Sequence, residues 1–231
     1  MKSVLLTVTL ALLMTSLGGC SKPERTPGQL VVGRLGDPVS LDPAQTVSSG
    51  DFAIINLAYQ TLTKIDPKTA AAVGDLAQSW SMAPDGMSWT FTLKPDQKFA
   101  DGAPVDAEAV RFSFERLRKV SKMAGQTFFW LKNVVVVDPQ TVRFELALPF
   151  PPLDRALAVP VAAIVNPKVV AANEKNGDGA AAWMAENSAG SGRYVVATWD
   201  RGSSVTLKPA AGREVGAFKE IVFRVVSNPS S

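Results

Sequence analysis

The 231-residue chain contains no histidine. Imidazole is the commonest general base and the commonest metal ligand, so its absence excludes Ser-His-Asp catalysis and any zinc site built on histidine. Cysteine is nearly absent too, with Cys20 standing alone. A lone thiol closes no intramolecular disulfide. After the first residues no apolar run approaches the ~20 residues that a spanning helix needs. Dense runs of one charge are missing: the net charge is +3, with Lys and Arg scattered. That pattern gives little support to nucleic-acid binding. No internal repeat or low-complexity tract is evident, which counts against a structural or adhesive role. An enzyme built from this chain would depend on carboxylates, Lys, Tyr or a Ser-Lys pair.

What is present begins at the N-terminus. Lys2 precedes an apolar stretch from Val4 to Leu17, and Leu17-Gly18-Gly19-Cys20 follows. A short apolar run with small residues before the cut reads as a signal peptide. Leu-Gly-Gly-Cys resembles a bacterial lipobox, in which diacylglycerol is attached to the thiol. This implies a signal over 1–19 and lipidation at Cys20. Residues 20–29, with Pro23, Pro27 and Gly28, form a tether. Several acyl chains on one residue anchor a protein stably at a membrane. The chain is therefore expected outside the cytoplasm, lipid-anchored. The alternative is an unlipidated secretory signal whose cysteine is incidental.

From residue 30 onward the composition is globular: 46% hydrophobic and 19% charged. Residues 30–35 read as a strand. Asp51 is positioned to cap a helix reaching about Leu62, with Ile54, Ile55 and Ala58 on one face. A strand ends at Trp80, the turn Ala83-Pro84-Asp85-Gly86 follows, and residues 89–93 alternate as a strand. Asp101-Gly102 makes another turn. Asp106 suits the N-cap of a helix to about Arg118, striped by Val110, Phe114 and Leu117. Residues 134–137 and 141–148 form a hairpin around Asp138-Pro139-Gln140. A short helix fits between Leu153 and Ala158, and Pro167 opens another. Residues 177–192 have no clear reading. Residues 194–198, 204–208 and 220–226 are strands. The class is α+β, a mixed sheet with flanking helices.

Ordered blocks then carry a resemblance. They are Gly36-Asp37-Pro38-Val39-Ser40-Leu41-Asp42-Pro43, Tyr59-Gln60-Thr61-Leu62, Leu76-Ala77-Gln78-Ser79-Trp80 and Asp85-Gly86-Met87-Ser88-Trp89-Thr90-Phe91-Thr92-Leu93. Lys98-Phe99-Ala100-Asp101-Gly102-Ala103-Pro104 and Gly190-Ser191-Gly192-Arg193-Tyr194 complete the set. Together the chain resembles the family 5 extracellular solute-binding proteins of peptide, dipeptide and nickel ABC importers. It departs from that pattern at Ala100, where the family often has His, and at Arg193, where it has Pro.

The resemblance implies the first lobe of a type II periplasmic-binding-protein-like fold over 30–231, with the second lobe missing and the chain truncated. It implies a binding protein, not an enzyme. Its partners would be a peptide or similar solute and an ABC permease, with neither cofactor nor metal. By the same resemblance the loop over 46–51 faces the ligand, with Thr46, Ser48, Ser49 and Asp51 as polar contacts; Asp51 has the helix cap as its competing role. Residues 122–130 form a second candidate, with Phe128, Trp130 and the intervening Phe129 as an apolar wall or as core. Two other readings stand beside these. One is an envelope hydrolase using paired carboxylates such as Asp101 and Asp106, which a turn and a helix cap explain more simply. The other is a fragment without function.

Overall fold

The structure, a computed structural model, describes residues 26–46, 48–121 and 124–226. The expected signal over 1–19 and Cys20 lie outside the described residues. Ten strands and six helices follow in chain order among them. They are β1 (Gln29–Arg34), α1 (Ser49–Ala58), β2 (Thr63–Ile65), β3 (Ala72–Gly74), β4 (Ala77–Met82), β5 (Ser88–Leu93), α2 (Ala107–Val120) and α3 (Ala124–Thr127). Then come β6 (Leu131–Asp138), β7 (Thr141–Leu146), α4 (Leu153–Ala156), α5 (Pro167–Asn173), α6 (Ala181–Met184), β8 (Tyr194–Asp200), β9 (Ser204–Pro209) and β10 (Glu220–Val225). The mixed α/β class expected from the sequence is the one observed.

Two four-stranded sheets organise the chain. The first has the order β1-β10-β9-β8, and the second β4-β5-β7-β6. The second is wholly antiparallel and strongly patterned. In β5 the residues Trp89, Phe91 and Leu93 point inward, and in β7 Val142, Phe144 and Leu146 do the same. That period of two is what a sheet with one buried face requires. Helix α2 covers this face. Asp106 caps it by accepting the Ala109 N–H at 2.8 Å, and Val110, Phe114 and Leu117 form its buried stripe. Phe114 meets Phe144 edge-on with ring centroids 5.0 Å apart, and Phe144 meets Phe91 at 5.5 Å. Such edge-to-face pairs add roughly 0.5–1.5 kcal/mol each beyond their burial.

The first sheet joins residues far apart in the chain. β1 pairs with β10 in parallel, Leu30 opposite Ile221 and Val32 opposite Phe223. β9 runs against β10 and β8 against β9, so β8 runs in the direction of β1. Helix α1 packs on this sheet and also feeds a third apolar cluster between the layers. Ile54 packs with Leu41, Tyr194, Leu207 and Phe223, while Ile55 and Ala58 pack with Ala163, Val165 and Val170.

The structure corrects several boundaries. α1 ends at Ala58 rather than near Leu62, because the chain turns extended at Tyr59. Its N-cap is Ser48, and Asp51 sits inside the first turn. β4 continues two residues past Trp80 to Met82. The short ladder of β2 and β3 went unread, as did α6 inside residues 177–192.

The C-terminal end of α1 rests directly on the Gly190-Ser191-Gly192 backbone. A Cβ at Gly192 would lie 2.3 Å from the Leu57 carbonyl oxygen, and one at Gly190 would lie 2.1 Å from that of Ala58. The Gly192 N–H donates to the Ala58 carbonyl at 3.0 Å. Backbone sits against backbone there, so no side chain can swing aside. Gly192→Ala is therefore expected to destabilise the fold by about 2–3 kcal/mol in urea unfolding. Gly216→Ala, at a position with nothing within 4 Å of its Cβ, should stay within about 0.5 kcal/mol. Equal effects would refute this account of the contact.

Candidate functional site

The loop between β1 and α1 is tied down at both ends and in its middle. At its start, the Asp37 carboxylate accepts the Gly202 N–H at 2.7 Å and the Trp199 Nε1–H at 3.4 Å, fastening the loop to the β8–β9 turn. In its middle, Asp42 forms a two-pronged pair with Arg116 of α2. The Nη1–Oδ1 and Nη2–Oδ2 distances are 3.0 and 2.6 Å. The side chains are 0% and 3% exposed, so the pair is fully desolvated. Arg116 Nε donates to the Gly179 carbonyl at 2.7 Å, and Asp42 Oδ1 also accepts the Ala44 N–H at 3.0 Å. A buried pair survives only when its remaining hydrogen-bonding capacity is filled in this way. At the loop's end, Arg34 of β1 donates to Asp51 at 2.6 Å, and the other Asp51 oxygen accepts the Val39 N–H at 3.1 Å.

Tyr59 adds a further tie. Its hydroxyl donates to the Leu41 carbonyl at 3.3 Å and accepts the Ala189 N–H at 3.1 Å. Burial is the main reason that its phenol is held well above its ordinary value of 10.0, with the Asp42 charge adding to the rise.

These ties sort the residues expected to face a ligand. Thr46 is 3% exposed, and its hydroxyl is taken up by the Ser40 and Asp42 carbonyls at 3.0 and 2.8 Å. Asp51 is 1% exposed and paired with Arg34, so its carboxylate faces the fold rather than solvent. Ser48 is half-buried and Ser49 exposed. Ser48 accepts the Asp51 and Phe52 N–H groups through its carbonyl, and its side chain makes no cap bond. The apolar wall expected from Phe128 and Trp130 is corrected. Both rings are core, 4% and 1% exposed, with Trp130 stacked on Phe150 at 4.9 Å. The exposed ring of the three is Phe129, at 58%.

The outward surface at the α1 N-terminus therefore consists of Ser48, Ser49 and Gly50, beside exposed Leu35 and Val39. Arg34 contributes from behind: its Nη1 is buried without a hydrogen-bond partner among the described residues. Sequence reasoning missed Arg34 and Arg116, because their acids lie 17 and 74 residues away.

The carboxylates weighed for hydrolysis are occupied. Asp101 accepts the Ala103 N–H at 2.9 Å and the Asn166 side-chain amide at 2.8 Å, while Asp106 caps α2. Among the described residues no group of His, Cys, Asp and Glu is placed to hold a metal ion. No helix among them is long and apolar enough to cross a membrane.

The site is thus an extended loop at the end of a mixed sheet, fixed by buried ion pairs. The pattern of the bacterial extracellular solute-binding proteins, family 5 (middle region), matches residues 71–231, and the chain belongs to that family. It is 40% identical over 184 residues to the probable D,D-dipeptide-binding periplasmic protein DdpA of Escherichia coli K12, covering 78% of this chain and 35% of that protein. It is 30% identical over 176 residues to the glutathione-binding protein GsiB of Salmonella typhi, covering 75% and 33%. The chain thus spans about a third of the length of the curated relatives it matches.

Solved structures agree on the fold. MoaA of A. tumefaciens R10, in complex with mannopinic acid, superposes with a TM-score of 0.78 at 26% identity, covering 89% of this chain and 42% of that one. DppA of Helicobacter pylori, in complex with the peptide STSA, gives 0.77 at 24%, covering 88% and 43%. The family consists of extracytoplasmic transport proteins that bind solutes.

The raised Tyr59 value carries a pH consequence. Below pH 10 the phenol is neutral in both folded and unfolded chains and adds no pH dependence. As pH rises through the ordinary value of 10.0 the unfolded chain ionises first, and stability falls until the folded phenol ionises too. The loss should approach about 1.4 kcal/mol per pH unit in alkali. Tyr59→Phe should remove that component from urea unfolding measured on either side of pH 10. Identical slopes in the two proteins would count against it.

Proposed function

We propose that this chain is the solute-binding component of an ABC importer, anchored through lipid on Cys20, and that it receives short peptides or similar solutes at the N-terminal end of α1. The observation that carries the reading is the anchored loop, whose two ion pairs and Asp37 hydrogen bonds hold Ser48, Ser49 and Gly50 in place before any ligand arrives. Preorganisation of this kind lowers the entropic cost of capture. The names of the relatives support peptide-like solutes: a dipeptide for one and glutathione for another.

In this reading the two serine hydroxyls and the free N–H groups of the first helical turn meet peptide carbonyls or a carboxylate. Thr46 and Asp51 act as positioning residues from within the loop. Phe129, rather than Phe128 or Trp130, offers the apolar contact. Exposed Leu35 and Val39, 72% and 71% accessible, suit a face that another wall covers when solute is held. This chain matches 35% and 33% of the two relatives' lengths, and such a wall would come from the remainder. Closure around the ligand and delivery to a permease complete the proposal.

A single wall leaves a peptide largely wet, with each hydrogen bond contributing only ~1 kcal/mol net. Titration of the labelled chain with a dipeptide, followed by amide NMR, should show weak binding with shifts at Ser48, Ser49 and Gly50. Cys20→Ser should move the protein out of the membrane fraction of cells. Sub-micromolar binding by this chain alone would contradict the two-walled reading. Shifts that leave these three amides untouched would contradict the assigned surface.

A further inference from the structure

A concave region lies at the other end of α1. β8 runs parallel to β1, so the loop after β1 and the residues before β8 sit at opposite ends of the first sheet. Around the residues before β8, the end of α1 and the β2–β3 ladder there is a groove of ≈ 810 Å³. That is within the about 300–1,000 Å³ typical of small-molecule sites.

Its charge is one-sided. Lys64, Lys94, Arg193 and Arg213 line it against a single acid, Asp75. Asp75 is already engaged: one oxygen accepts the Gln60 amide at 3.1 Å, the other the Thr61 N–H at 3.2 Å, with Lys64 at 4.0 Å. Two of the cations are held in place by neutral carbonyls. Lys94 Nζ donates to Gly74 and Asp75 at 3.0 and 2.6 Å, and Arg213 Nη2 to Lys98 and Ser191 at 2.8 and 3.0 Å. These bonds orient the charges without neutralising them. Arg193 is exposed and makes no side-chain hydrogen bond or ion pair among the described residues. It stands where the resembling family pattern has proline, so this chain has added a guanidinium to the groove.

Two polar atoms in the wall lack partners among the described residues. Asp75 can only accept, so Gln60 must turn its amide nitrogen toward it. This leaves Gln60 Oε1 buried and unbonded, and the Ser191 hydroxyl is also buried without a partner. Ile55, Pro160 and Ala163 supply an apolar side. Fixed cations and unfilled polar atoms beside an apolar wall suit an organic anion better than an inorganic one.

We propose that this groove is a second ligand site, separate from the α1 N-terminal surface, that takes a small organic carboxylate with an apolar body. Arg193 and Lys64 meet the carboxylate, and the apolar body rests toward Ile55 and Pro160. The proposal stands apart from the peptide-capture reading and survives its failure.

The test is amide NMR on the labelled full chain with three probes: N-acetyl-leucine, its uncharged amide N-acetyl-leucinamide, and inorganic phosphate. At millimolar concentration N-acetyl-leucine should shift the amides of Ser191, Gly192, Arg193 and Gln60, while the leucinamide should not. Arg193→Ala removes an exposed side chain without partners among the described residues, so the spectrum should stay dispersed and the affinity for N-acetyl-leucine should fall about tenfold. Any response at Ser48–Gly50 should persist in that variant. Equal shifts from acid and amide would overturn the proposal. So would phosphate binding more tightly than N-acetyl-leucine, an unchanged affinity in Arg193→Ala, or no shift at these four amides.

Discussion

The buried pair between Asp42 and Arg116 is the contact on which the two layers depend. Asp42 belongs to the loop leaving the first sheet, and Arg116 to the helix that covers the second. Arg116 also holds the Gly179 carbonyl, so three separated segments meet at one guanidinium. Removing one member of such a pair leaves an uncompensated charge and costs about 3–5 kcal/mol. The pair is therefore best understood as fixing one arrangement of the loop. Arg34–Asp51, Asp37–Gly202 and Tyr59–Leu41 then hold that arrangement from other directions. The order of events is physical: ion pair, loop shape, position of the α1 N-terminus, and only then the surface proposed to receive a solute.

Helix α1 links two surfaces of different character. Its ten residues span about 15 Å. One end presents serines and free N–H groups beside exposed aliphatics. The other is seated on Gly190 and Gly192 and opens onto a cationic groove. Because the helix is clamped at both ends by backbone contacts and by Asp51, its two ends are mechanically one body. That rigidity suits the proposal that a second wall closes on this surface.

Much of the fold was legible in local pattern. Alternation over 89–93 and 141–146, the Asp106 cap and the proline at 167 each have a short-range physical cause and are found in place, while the strand expected to reach 148 stops at Leu146. The parallel pairing of β1 with β10 had no local signal, since its partners are about 190 residues apart. The site was less legible for the same reason. Asp42 stands within a motif block, but nothing near it in sequence indicates Arg116. Asp51 looks like a helix cap from its spacing, yet Arg34 draws it inward and Ser48 takes the cap position. Phe128, Phe129 and Trp130 are consecutive in a turn leading into β6, where no periodicity tells the inward rings from the outward one. Gln60 and Ser191 were legible only as family markers, because their shared wall forms through tertiary packing.

Hydrogen exchange in Arg116→Met tests most directly whether the buried pair sets the loop. The account predicts that the Ala44 and Thr46 amides, and those of the first turn of α1, lose protection while the amides pairing β5 with β7 retain theirs. Undiminished protection at Ala44 and Thr46 in the folded variant would contradict it.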